Sequence, residues 1–256
     1  MRSLALALVL PALAALPLDG QDFRWSGTLG TGKTLEVRGI NGRIHATRAS
    51  AGQALVTAPK RAKDDDPAEV EIEVVEHDGG VTICAVYPSR RASRPNSCRP
   101  GGGQNNMRDN DVEVQFEVQV PAGVRFEGSN VNGDVNATGL PADAEVATVN
   151  GDVEVSADGH LEATTVNGSI TARLGRAEWE RGLRFTTVNG GITLTLPAGL
   201  DADVEASTVN GSIDSDFPIS VSGRMNPQTL RGRIGKGGRE LELTTVNGSI
   251  RLRKAS

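Results

Sequence analysis

The sequence predicts an all-β fold, a parallel β-helix or solenoid built on Thr-Val-Asn-Gly repeats with an N-terminal β cap region. Three observations predict it. First, one block recurs: Asn132-Gly133-Asp134-Val135, Thr148-Val149-Asn150-Gly151, Thr165-Val166-Asn167-Gly168, Thr187-Val188-Asn189-Gly190, Thr208-Val209-Asn210-Gly211 and Thr245-Val246-Asn247-Gly248. Ile40-Asn41-Gly42 is an early relative and Leu230-Arg231-Gly232 a worn copy, so the period stays near twenty residues. Second, residues alternate apolar and polar on both sides of each block, which is the strand period. Third, only eight of 256 residues are aromatic. A thin core of Val, Ile, Leu, Ala and Thr suits coils that each bury a few side chains.

In chain order, residues 1–20 read as a secretory signal peptide. Arg2 precedes an apolar run from Leu4 to Leu16, and Ala12, Ala14 and Ala15 supply a small-residue cleavage region. The run is too short to span a bilayer. Residues 21–128 form an N-terminal β region with a long Cys-containing loop, and 129–256 form the Asn-Gly repeat solenoid, the two making one continuous domain. Leu35, Val37, Ile44 and Ala46 alternate around Asn41-Gly42. Lys60 to Pro67 is a charged, solvated loop. Val70, Ile72 and Val74, then Asp78-Gly79-Gly80, then Val81 to Val86 read as a β-hairpin. Residues 88–110 are a long exposed loop, and Val112 to Val120 is a strand with one wet face.

Cys84 and Cys98 are the only cysteines. In an oxidising compartment they are expected to pair, closing a loop worth about 3 kcal/mol in the chain-entropy account.

Two folds satisfy the parity of the repeats. Asn-Gly is a strong hairpin signal, so an antiparallel meander is the alternative. Stacked coils explain more, because in-register stacking rewards the same residue at every level. The expected structural ladder is Asn132, Asn150, Asn167, Asn189, Asn210 and Asn247, each amide bond worth about 1 kcal/mol. Gly is expected to supply a positive φ at the corner. Repeats stacked in sequence order would leave the last one at the open end, with Arg251, Arg253 and Lys254 as charged gatekeepers. The connections Leu174 to Gly182, carrying Trp179, and Phe217 to Leu230 would lie outside the coil.

The recurring Thr-Val-Asn-Gly-Ser/Asp-Ile/Val motif, the Pro-Ala-Gly turns at 121–123 and 197–199 and the leader resemble the bacterial DUF4097 family, described as candidate adhesins with β-strand repeats. The resemblance covers about residues 34–256. It implies an exported β-repeat domain and transfers no catalytic residue.

Net charge is −5, so no basic field recruits nucleic acid. No nucleophile elbow or HExxH spacing appears, and no catalytic, cofactor or metal residues are expected. His45, His77 and His160 read as exposed strand or turn residues. Asp109-Asn110-Asp111 lacks the later ligands of a calcium loop. Arg90, Arg91, Arg94, Arg99 and Arg108 form a candidate anionic-ligand loop. Asp134, Asp152 and Ser169 are an alternative sugar-facing row. The expected function is non-enzymatic: a structural or adhesin-like binding role at the cell envelope, periplasmic or on the cell surface. The partner would be an envelope glycan or protein. The alternative is a β-helix carbohydrate-active enzyme, which needs acids converging on one face; along the sequence the acids look scattered.

Overall fold

A computed structural model describes residues 23–255 except 92, 105, 108, 178, 180 and 222–227. The leader assigned to residues 1–20 and Arg108 lie outside the described residues.

Two long sheets face each other across one apolar core. The first runs, in spatial order, Phe23–Gly27, Ala54–Ala58, Phe116–Val120, Ile44–Arg48, Val135–Leu140, Val153–Ala157, Ile170–Leu174, Ile192–Leu196, Ile250–Lys254 and Ile213–Ser215. The second runs Ile219–Val221, Thr229–Ile234, Ala202–Asn210, Glu240–Asn247, Leu183–Thr186, Leu161–Thr164, Ala144–Ala147, Arg125–Ser129, Thr34–Arg38, Gly80–Val86 and Glu71–His77. Each repeat strand before Asn-Gly lies in the second sheet and the strand after it in the first. These strands pair in parallel with neighbouring repeats. The Asn-Gly steps therefore do not close antiparallel ribbons; the chain winds in a solenoid-like manner. Antiparallel pairs occur toward both ends, including Glu71–His77 with Gly80–Val86, the hairpin read from the sequence. No helix among the described residues is long and apolar enough to cross a membrane.

The alternation fixes the core. Ile170, Ala172 and Leu174 are buried while Thr171 and Arg173 face water. Like residues stack: Ile44, Val135, Val153, Ile170, Ile192, Ile250 and Ile213 form one continuous row. A slip of one residue would turn each strand inside out, so the burial pattern pins the register.

Stacking does not follow sequence order. The last coil, with strands Glu240–Asn247 and Ile250–Lys254, inserts between the Leu183–Leu196 coil and the Ala202–Ser215 coil. The side chains give a reason. Leu241, Leu243, Ile250 and Leu252 are all fully apolar and buried. The displaced coil offers Val204 and Ala206, a half-buried Ile213, and Ser215 at the level of Leu252. The weaker coil takes the end, where burial is least. Arg251, Arg253 and Lys254 are therefore not terminal gatekeepers. Arg253 pairs with Asp216 at 2.9 Å on the coil above.

Two connections also differ from expectation. Trp179 folds back onto the core, 7 % exposed, with Nε1 donating to the Glu240 carbonyl at 3.3 Å. Phe217 is buried, and the strands Ile219–Val221 and Thr229–Ile234 pair antiparallel to extend the second sheet. Arg231 sits on that strand beside Glu205, not at a corner. The charged stretch at Lys60–Pro67 is partly ordered: Lys60–Arg61 pairs with Glu113–Val114, and the Asp66 side chain caps a 3-10 turn at Pro67–Glu69.

The corner threonines do more than stack. Thr148, Thr165, Thr187, Thr245 and Thr208 are buried, and each hydroxyl donates to a glycine carbonyl on the adjoining coil at 2.8–2.9 Å. Asn130 fills this role beneath the first coil, donating from Nδ2 to the Gly42 carbonyl at 2.7 Å. Thr165→Val keeps the shape and strands the Gly151 carbonyl, so a loss of about 1–2 kcal/mol is expected in urea unfolding. An unchanged midpoint would show that the hydroxyl is idle.

Candidate functional site

The corner carries an amide ladder of seven side chains. In spatial order they are Asn41, Asn132, Asn150, Asn167, Asn189, Asn247 and Asn210. Each Nδ2 donates to the preceding Oδ1 at 2.7–2.9 Å. Asn41, which the sequence reading left outside the ladder, begins it, and its own Nδ2 ends on the Asn110 carbonyl at 3.1 Å. All amides point the same way, so their dipoles add along the stack. At the other end Asn210 Oδ1 has no donor among the described residues.

The ladder glycines are needed mainly for space rather than for backbone handedness. Only Gly42 and Gly133 have positive φ, at 108° and 135°. A Cβ on Gly151, Gly168, Gly190, Gly248 or Gly211 would overlap the carbonyl oxygen of the next corner glycine. The positive φ expected at every corner is thus corrected: the coils approach too closely for any side chain there.

Beside the ladder stands an exposed ridge of Val149, Val166, Val188, Val246 and Val209, the last 55 % exposed. On the far side, Asp134 Oδ1 accepts the Asp152 amide at 2.8 Å and Asp152 Oδ1 accepts the Ser169 amide at 2.7 Å. One oxygen of each acid is thereby spent on joining coils.

The acids are not scattered. Five residues before every ladder asparagine lies an outward position of the second sheet, and it holds Glu36, Glu127, Glu145, Glu162, Arg184, Glu242 and Glu205 in spatial order. Winding brings residues far apart in sequence into one row at strand spacing. The signal was the constant offset from Asn-Gly, visible only once the repeats are aligned. Two positions further on, toward the corner, lies a mostly hydroxylic row: Arg38, Ser129, Ala147, Thr164, Thr186, Thr244 and Ser207.

The row is unevenly neutralised. Buried Glu36 accepts from Thr82 Oγ1 at 2.7 Å, Arg38 at 3.0 Å and the Gly101 amide at 3.1 Å. Arg184 holds Glu242 at 3.0 Å and Arg231 holds Glu205 at 3.0 Å. Glu145 has no ion-pair partner among the described residues. Partial burial raises the Glu127 pKa above the usual carboxylate range; Arg125 opposes this, and Glu145 and Glu36 add to it. A raised folded pKa means the native state holds the proton more tightly, so stability falls as pH climbs from the unfolded to the folded value. Glu127→Gln should remove that slope and raise neutral-pH stability by about 0.2–1 kcal/mol, the scale for like charges opposed across strands. Denaturation at acidic and neutral pH tests it; a neutral-pH loss refutes it. Clefts open over both halves of the row. One of about 210 Å³ is lined by Glu36, Glu127 and Glu145. Another of about 380 Å³ is lined by Asp203, Glu205, Glu240, Glu242 and Arg231.

The remaining candidates do not converge on this face. Cys84 and Cys98 are bonded, with Cα atoms 5.6 Å apart. Arg90 turns onto the Met107 carbonyl at 2.8 Å and Asp109 at 3.4 Å, while Arg91, Arg94 and Arg99 are exposed. Asp111 is occupied by the amides of Asp65, Asp64 and Lys63 at 2.8–3.1 Å, which hold its pKa below the ordinary value. His160 is buried rather than exposed, with Nε2 2.9 Å from Glu162 and its backbone amide donating to the Asp143 carboxylate at 2.9 Å. His77 accepts the Gly79 amide at its own turn.

Against known families, residues 55–253 match one family model. The chain belongs to the Toastrack DUF4097 family. The match begins after the first coil, so the Toastrack region excludes Asn41 although that residue starts the ladder. Among solved structures, the Toastrack chain is similar to a candidate cell adhesion protein from Clostridium sporogenes ATCC 15579, at 11 % identity and TM-score 0.47, covering 92 % of this chain and all of the other. It is also similar to a candidate adhesin from Bacteroides fragilis NCTC 9343, at 12 % identity and TM-score 0.29, covering 93 % and 98 %. No functionally curated protein matches.

Proposed function

We propose that this Toastrack protein is exported, is not an enzyme, and serves a structural or adhesin-like binding role at the bacterial cell envelope. We read its winding as a two-sided parallel β-helix whose partner is an envelope glycan or protein. The observation that carries the proposal is the set of parallel rows on one corner and one sheet: acidic, hydroxylic, valine and amide, repeating coil by coil. A rigid array at strand spacing suits a ligand that is itself extended and repetitive. The disulfide supports an oxidising compartment.

The test is a glycan and envelope-component array probed with the protein lacking residues 1–20. Retention on a component, lost in a Thr164→Ala/Thr186→Ala/Thr244→Ala variant of unchanged stability, is the expected result. No retention anywhere would sink the adhesive half of the proposal.

A second reading, a carbohydrate-active enzyme, is favoured by the cleft that gathers Asp203, Glu205, Glu240 and Glu242. Paired carboxylates are what glycoside hydrolysis needs. A polysaccharide screen separates the two readings: turnover abolished by Glu205→Gln or Glu242→Gln would establish the enzyme and end the binding-only account.

A further inference from the structure

We propose that Asn210 is a selective site of spontaneous deamidation, set apart from the six other Asn-Gly steps by its place at the open end of the ladder. Asn-Gly is the dipeptide most prone to this chemistry, because glycine leaves its backbone nitrogen unshielded. The Gly211 nitrogen attacks Asn210 Cγ, the Cγ–Nδ2 bond breaks, and ammonia leaves carrying the proton from the amide nitrogen. A succinimide ring forms. Water then opens it at either carbonyl, giving aspartate or isoaspartate.

The fold disables this step at six of the seven sites. The backbone amides of Gly42, Gly133, Gly151, Gly168, Gly190 and Gly248 each donate to the carbonyl of the ladder asparagine on the next coil, at 2.8–3.0 Å. The attacking nitrogen is therefore engaged. The target amides are held too: Asn132, Asn150, Asn167, Asn189 and Asn247 both donate and accept within the ladder. Asn41 accepts from Asn132 and donates to the Asn110 carbonyl. Reaction at any of these needs local opening of a two-sheet stack.

Asn210 differs at both atoms that matter. Among the described residues no further coil lies beyond it, only the antiparallel strand Thr229–Ile234 alongside Ala202–Asn210, and the Gly211 amide has no hydrogen-bond partner among them; Gly211 is exposed. Among the described residues its side chain keeps one bond, Nδ2 to Asn247 Oδ1 at 2.7 Å, and Oδ1 accepts none. The inverted stacking order decides this. Had the coils stacked in sequence, Asn247 would hold the exposed end. The product carboxylate would face Asn247 Oδ1 without a donor, so modification shortens the ladder to six members.

The experiment incubates the folded full chain at mildly alkaline pH and maps the mass gain of one dalton by peptide mass spectrometry, with a parallel sample in urea. Asn210 should react at least about tenfold faster than any other Asn-Gly site, the factor given by roughly 1.4 kcal/mol of opening. In urea the seven rates should collapse together. Asn210 reacting no faster than the other six in the folded chain would overturn the proposal, as would a preference that survives in urea, which would place its origin in local sequence. An Asn210→Ser variant should abolish the fast phase; a fast phase that persists there also overturns it.

Discussion

Gly168→Ala is expected to lower stability by about 3–5 kcal/mol, near the top of the range for a point change. The new methyl would fall on the Gly151 carbonyl oxygen, which is backbone and cannot rotate away. Relief requires separating two coils. That weakens the Gly151 amide bond to the Asn167 carbonyl, the Thr165 hydroxyl bond to Gly151 and the Asn167 amide bond to Asn150 together. Gly52→Ala is the control, because nothing lies within 4 Å of its Cβ and its φ is ordinary. There the effect should be neutral or stabilising by up to about 1 kcal/mol. Urea midpoints of the two variants decide it: equal midpoints would mean that the coils can part freely and that close approach is not why glycine is required.

Removing the disulfide by Cys84→Ala/Cys98→Ala is expected to cost about 2–3 kcal/mol. The bridge closes a loop with a sequence separation of 14, and the chain-entropy account gives about 3 kcal/mol for that length. The lower bound reflects other ties on the same loop. Asn96 donates to the Tyr87 carbonyl at 2.9 Å, and the Cys98 amide donates to Glu73 at 3.1 Å. Tyr87 anchors this region, donating to the Val112 carbonyl at 2.7 Å, and its burial lifts its pKa above the ordinary tyrosine range. Thermal unfolding of the wild type with and without reductant should show the same loss as the double variant. No shift in either would show that these hydrogen bonds hold the loop unaided.

Much of this was legible in the chain. The period-two alternation around each Asn-Gly fixed which side chains are buried, since a strand offers its faces no other choice. Repetition of Thr, Asn and Gly announced stacking, because only neighbours at the same level reward identical residues. Cys84 and Cys98 had no other partner to find.

Spatial order was not legible. Nothing local in Thr245-Val246-Asn247-Gly248 says that its coil slides beneath an earlier one; that depends on comparing whole coils, and Leu241, Leu243, Ile250 and Leu252 outweigh Val204, Ala206, Ile213 and Ser215 when burial is shared out. The glutamate row emerged only with winding, which places Glu36 beside Glu127 although 91 residues separate them. Within the repeat strands, sequence by itself determined which side chains point inward or outward, because that follows from one strand. Only the tertiary structure decided what each residue faces next to, because neighbours in a stack are chosen by the free energy of the entire core.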